Sequence, residues 1–306
     1  MSDPTQRPGP SSAPVADVAV TTGGAPGGLR DVARGVWRDR NGRFGLVVTG
    51  VLGLVAVAAA VGLTPYDPIA QTPADQLIGP SGEHWFGTDQ FGRDVASRTF
   101  AGIASSLRVA VLAVALAAVI GTVAGVTSGY LGGFWDQVVG RLTDVLFAFP
   151  AILLALSIIA ALGRGWLNTA IAIAIVYIPI FVRVARGPTL AVRELEYVAA
   201  CRVVGFSGRR ILFRHVLPNV SAPIVVQVAL ALSWAILTEA GLSFLGLGTQ
   251  PPESSLGLMV SEARNLVTTA WWTMVFPSLA VIVAVIGLNL LGDGLRSALD
   301  PKEDRR

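Results

Sequence analysis

The chain has 306 residues, of which 53% are hydrophobic and only 14% charged, with a net charge of +3. A soluble domain carries about 25% charged residues, so the composition suits lipid rather than water, and so small a positive balance gives no argument for a nucleic-acid partner. Cys201 is the one cysteine, which excludes an internal disulfide and a thiolate metal cluster. His84 and His215 stand too far apart for a zinc motif, and Ser, His and Asp show no catalytic grouping.

In chain order, residues 1–29 are rich in Pro, Gly, Ser, Thr and Ala and hold no apolar run long enough for a signal-peptide core. They read as a disordered tail. Residues 30–43, RDVARGVWRDRNGR, carry five arginines and two aspartates, which suits a short basic helix against a membrane surface. A bilayer crossing needs about 20 mostly apolar residues. Six segments qualify: 44–63, 107–130, 138–162, 166–184, 220–241 and 272–291. The third and fourth are parted only by Gly163-Arg164-Gly165, which predicts a tight hairpin. The expected fold is therefore an all-α membrane protein with six transmembrane helices. Its units are the tail, a segment 30–104 with the first span and an outer loop, and a core 105–302 with five spans.

Arginine placement sets the orientation. The loop after the first span, residues 64–104, sets Asp67, Asp75, Glu83, Asp89 and Asp94 against Arg93 and Arg98. The loop between the fourth and fifth spans, centred on residues 186–218, holds Arg183, Arg186, Arg193, Arg202, Arg209, Arg210 and Arg214 against two glutamates. Both termini and this arginine-rich loop are thus expected in the cytoplasm, and the acidic loop outside. Gly121, Gly125, Gly129 and Gly133 recur every four residues after Ala117. That stripe predicts close helix packing, with a sliding surface as the alternative.

The arginine-rich loop has an internal design. Val192, Leu195, Val198 and Ala199 follow helical spacing, and Gly205 stands where a left-handed cap would end that helix. Ser207 is placed to cap a second short helix holding Ile211 and Leu212, which Leu217-Pro218 is expected to stop. Ala199, Ala200 and Cys201 give the elbow a smooth middle, flanked by Arg202, Arg209 and Arg210. The segment after the fifth span, GLSFLGLGTQPPESSLGLMVSEARN, is too apolar for a free loop and too broken for a span. It is expected to dip into the outer face of the bundle, leaving Glu262 and Arg264 outside for a partner protein.

Ala199-Ala200-Cys201, Gly205 and Leu217-Pro218 resemble the EAA loop of importer-type ABC transporter permeases. Ala199 stands where that family has Glu, and Cys201 where it has its second Ala. His84–Gly102 (HWFGTDQFGRDVASRTFAG), Glu239–Gly257 (EAGLSFLGLGTQPPESSLG) and Asn289–Pro301 (NLLGDGLRSALDP) are similar to blocks of the C subunits of dipeptide/oligopeptide permeases. The resemblance covers roughly residues 30–302.

That resemblance implies a type I importer permease fold in a bacterial inner (plasma) membrane. It implies a sister permease as heterodimer partner and cytoplasmic ATP-binding subunits, separate or fused. An extracytoplasmic substrate-binding protein completes the set. ATP and Mg would sit on the partners and no cofactor on this chain. The residues assigned to ATPase coupling are Ala199, Ala200, Cys201, Arg202, Gly205, Arg209, Leu217 and Pro218. Independently, the one lysine, Lys302, precedes Glu303, so no phosphate-binding P-loop is present. Polar residues proposed for the translocation path are Asn168, Thr169, Trp234, Thr238, Glu239 and Asn289. Dipeptides or oligopeptides are the expected cargo, with nickel chelates, glutathione or haem-like compounds as alternatives. An ion-coupled secondary transporter is the competing class, but Asp144 and Glu239, its nearest candidate relays, fall toward span ends.

Overall fold

Asp39 starts the first long helix by accepting a hydrogen bond from the Gly42 amide at 2.6 Å, the capping geometry that satisfies an otherwise orphaned donor. In the computed structural model, which describes residues 29–299, α1 (Leu29–Arg38) leads through this cap into α2 (Arg40–Ala60). Residues 1–28, which hold all but the last residue of the predicted disordered tail, lie outside the described part, as do residues 300–306; Leu29 opens α1. An irregular stretch with a single 3-10 turn at Pro73–Asp75 follows, and Asp94 then caps α3 (Val95–Leu131) by accepting from the Ser97 amide at 2.7 Å. The remaining helices are α4 (Gly133–Phe147), α5 (Ala151–Leu162), α6 (Trp166–Val192), α7 (Glu196–Val203), α8 (Gly208–Ile211), α9 (Leu217–Asn219), α10 (Ser221–Phe244), α11 (Leu256–Ala263) and α12 (Trp272–Leu299). Among the described residues there is no named strand, only one isolated bridge between Thr88 and Asp94.

Five helices, α2, α3, α6, α10 and α12, are each long and apolar enough to cross a membrane. The remaining expected span, the third in chain order, is broken: α4 and α5 meet at 95°. Pro150 is the cause. Proline disfavours helical backbone in the residue before it and brings no amide donor of its own. The helix therefore ends at Phe147 and restarts after Pro150. The α5–α6 hairpin forms as expected, with Gly163 at φ 92° and Gly165 at φ 135°.

The second span begins at Val95, twelve residues before the apolar run suggested. Its early turns are less apolar because they pack against protein: Val95, Ala96, Ser97, Arg98 and Thr99 are all buried. At 37 residues α3 is about 55 Å long at 1.5 Å per residue, well beyond the roughly 30 Å hydrocarbon core.

Backbone contact holds the bundle centre. A Cβ on Gly121 would fall 2.6 Å from the Phe181 Cβ, one on Gly125 would fall 2.5 Å from the Val182 carbonyl oxygen, and one on Gly129 would fall 3.0 Å from Thr189. The glycine stripe is thus the seat of α6. Gly133 is not part of it: it has φ 58° and nothing within 4 Å. A second glycine crossing joins α2 to α12, where Gly42 faces Gly294 and Gly45 meets the Leu290–Leu291 backbone.

Candidate functional site

The elbow between α6 and α10 is built on an apolar inner face. Val198, Ile211, Leu212, Val216 and Val220 are buried together with Val126 of α3 and Ala185 of α6; of the periodic positions, Val198 turns inward and Val192 packs beside it, while Ala199 is exposed. Gly205 follows α7 at φ 83°, a left-handed conformation that glycine adopts without a steric penalty. Ser207 occupies the cap position of α8, but its side chain makes no capping bond. Pro218 does not stop the second helix. A π-helical turn at Leu212–Val216 runs into α9, and α10 begins at Ser221. Proline is tolerated there because it falls in the first turn of α9, where no amide donor is required.

Arginines clamp this elbow to the membrane helices. Arg186 donates from Nε and Nη2 to the two carboxylate oxygens of Asp136, both at 2.6 Å, tying α6 to α4. Such bidentate pairing fixes geometry as well as charge. Arg193 donates to the Gly129 carbonyl at 2.7 Å, and the Arg202 guanidinium lies 5.6 Å from the Tyr130 ring. The Tyr197 hydroxyl is buried among these residues, and burial pushes its pKa up.

The outer face of the elbow carries most of the residues assigned to coupling. Ala199, Ala200, Arg202, Gly205, Arg209 and Pro218 are exposed, while Cys201 and Leu217 are half-buried. Val203 is 89% exposed and Val204 72%. Sequence spacing missed both, because they lie at the end of α7 and just beyond it, off its inward stripe. Phe213 is also exposed. Beside the left-handed Gly205, Val203 and Val204 thus add bare apolar side chains to the exposed Ala199 and Ala200 on this arginine-rich segment.

The proposed path residues separate into different roles. Asn168 donates to the Leu162 and Gly163 carbonyls and locks the α5–α6 turn. Thr169 is fully buried and bonds the Gly165 and Leu247 carbonyls. Asn289 donates to the Ser233 hydroxyl at 2.9 Å, joining α12 to α10. Glu239 is sealed inside with 0% exposure, accepting from Ser243 at 2.6 Å, and so faces no open path in this conformation. Trp234 is 61% exposed, and Thr238, one turn on, is half-buried and shares a hydrogen bond with Tyr177 of α6 at 3.0 Å. Asp144 is exposed and pairs with Arg183.

At the end opposite the elbow, the segment after α10 does enter the bundle. Ser254, Ser255, Leu256, Gly257, Leu258 and Met259 are buried, and Ser255 caps α11 by accepting from the Leu258 amide. Ser254 reaches the Arg98 carbonyl, and the Leu256 amide faces Ser106. Glu262 is not turned out toward a partner as its sequence position suggested. It accepts from Arg93 at 3.1 Å and from Arg98 at 3.0 Å, and both arginines also hold Asp89. Two arginines and two carboxylates thus tie the acidic loop, the start of α3 and α11 into one neutral knot. Arg98 is only 2% exposed. Replacing Glu262 by Gln leaves two buried cations on one aspartate, and losing one partner of a buried ion network costs about 3 kcal/mol or more. Thermal unfolding of detergent-purified E262Q is therefore expected several degrees below wild type, and an unchanged midpoint would contradict the pairing.

Residues 120–305 match the family model described as binding-protein-dependent transport system inner membrane component. Among similar proteins, a dipeptide transport system permease protein DppC of Alkalihalophilus pseudofirmus is 41% identical over 299 residues, covering 98% of this chain and 97% of the relative. A glutathione transport system permease protein GsiD of Pectobacterium atrosepticum is 43% identical over 278 residues, covering 90% and 92%. The GsiD of Escherichia coli is 46% identical over 253 residues, covering 82% and 84%.

Proposed function

This chain belongs to the binding-protein-dependent transport system inner membrane components, the permeases of bacterial ABC importers, and on that premise we propose that it supplies half of a translocation path for dipeptides or short oligopeptides. The sister permease forms the other half. ATP-binding subunits, with their ATP and Mg, dock on the elbow, and a substrate-binding protein delivers cargo at the opposite end. The cargo reading rests on similarity to a dipeptide permease over nearly the whole chain. Glutathione, itself a small peptide, is the second reading, favoured by the GsiD relatives.

One observation supports the coupling role above others. The elbow shows an exposed apolar face, with Val203 and Val204 beside Gly205, while its inner face is fixed to α3 and α6. A segment that only carried positive charge would have no reason to expose valines. The arginines of the elbow support a cytoplasmic elbow and an outer acidic loop, because cytoplasmic loops carry an excess of positive charge. Trp234 and Thr238 are the residues proposed to face the path.

Uptake in proteoliposomes tests this. The chain reconstituted with its sister permease, ATPase and binding protein is expected to accumulate labelled dipeptide only with internal ATP and external binding protein. Uptake by this chain alone on an ion gradient would overturn the reading.

A further inference from the structure

The α1–α2 corner frames a groove that the transport reading does not use. Asp39 turns the chain between the two helices. Gly35 packs on Ala298, Val36 is 3% exposed, and Gly42 and Gly45 press the α2 backbone onto α12. The corner is therefore fixed rather than loosely laid on the bundle. Beside it opens a groove of ≈460 Å³ lined by α1, α2 and α12.

Arg40, Arg43, Phe44 and Val47 line that groove from one helix. Their spacing is i, i+3, i+4 and i+7, so they share one face of α2. Along this face the chemistry changes from two guanidiniums and the neighbouring Asn41 to an aromatic ring and a valine, over about 10 Å of helix. Leu290 of α12 adds to the apolar part and Trp37 of α1 stands at the rim, 52% exposed. Among the described residues neither Arg40 nor Arg43 makes an ion pair or a side-chain hydrogen bond. Tryptophan and arginine are the side chains that favour the headgroup level of a bilayer.

We propose that this groove is a binding site for one anionic phospholipid, whose phosphate is held by Arg40, Arg43 and Asn41 and whose acyl chain lies along Phe44, Val47 and Leu290. Arginine suits phosphate because its planar fork can donate two parallel bonds. A soluble phosphate would satisfy the arginines but leave the apolar half of the groove bare. A neutral lipid would fill the apolar half and leave the arginines without an added negative charge. Only an amphiphile with a net anionic head satisfies both.

The test uses the full-length chain copurified with its transport partners in a neutral detergent. Phosphatidylglycerol, phosphatidylcholine and glycerol 3-phosphate are titrated separately, and bound lipid is counted by native mass spectrometry. Phosphatidylglycerol is expected to bind about tenfold more tightly than phosphatidylcholine, the factor expected from a net gain of about 1.4 kcal/mol through charge-assisted bonds. Arg40→Gln with Arg43→Gln is expected to abolish that preference. Leu290→Trp keeps both charges but fills the groove, and it too is expected to lose the tight site; Val47→Trp, at an exposed position, serves if the first variant does not fold. Wild-type phosphatidylglycerol binding in the filled-groove variant would mean diffuse attraction by surface charge and overturn the site. Equal affinity for glycerol 3-phosphate would overturn the lipid assignment.

Discussion

Replacing Gly205 by valine is expected to leave the chain inserted in the membrane at close to wild-type amount while cutting ATP-dependent uptake at least tenfold. The φ of 83° at this residue is open to glycine but is a true outlier for a β-branched side chain. A Cβ there meets nothing within 4 Å, so the damage is conformational and confined to the elbow. The backbone must rotate out of the left-handed region, which turns α7 relative to α8 and moves Val203 and Val204 with it. The buried inner face, with Val198, Ile211 and Val216, keeps the elbow attached to the bundle. ATPase activity and labelled-peptide uptake, measured on the same proteoliposomes, separate the two effects: hydrolysis should persist or fall while uptake per ATP drops. Normal uptake per ATP would place the coupling contact elsewhere.

Gly125→Leu is expected to act on the fold itself. The glycine faces the Val182 carbonyl oxygen and the Ala185 Cβ, at 2.5 and 3.0 Å from where a Cβ would stand. Neither is the loose end of a flexible side chain. Overpacking at a fixed crossing costs about 1–3 kcal/mol when neighbours can yield, and here the neighbour is backbone, so the loss should reach or exceed the top of that range. Detergent-extracted G125L is expected to elute as aggregate or to unfold many degrees below wild type. A leucine at Gly133, which has open space around it, serves as the contrasting site, although its φ of 58° carries its own smaller strain. Equal stability of G125L and wild type would show that α3 and α6 do not pack through this stripe.

Local pattern carried much of the architecture. The apolar runs located every membrane helix, since hydrocarbon length is a constraint written directly in the chain. The elbow was readable for a similar reason: Val198 and Gly205 obey helix spacing and capping rules that need no distant partner. What escaped depended on distant partners. Arg98 looked like a loop charge, yet it lies buried because Asp89 and Glu262 come to it from both sides. Glu262 looked outward-facing for the same reason. The early start of α3 was hidden because its first turns are shielded by α11 and not by lipid, so they need not be apolar throughout. Pro150 was a local signal that went unused, and it alone accounts for the broken third span. Pro218 was a local signal read too strongly, because the chain placed it at a helix start. Among the proposed path residues, Asn168 and Asn289 proved to join helices, a role polar side chains often take inside membranes.

The length of α3 has a mechanical consequence. Near its C-terminus Gly129 and Tyr130 are gripped by elbow arginines, and near its N-terminus the Arg98 carbonyl and Ser106 hold the segment that enters the bundle. The helix between contains no proline. A rod of about 55 Å that pivots by about 5° shifts one tip by about 5 Å relative to the other, a stroke comparable to one helical turn. A small rotation of the helix at its elbow end is thereby enough to displace the buried segment held at its other end by several ångströms, without any signal passing through the bundle's side chains.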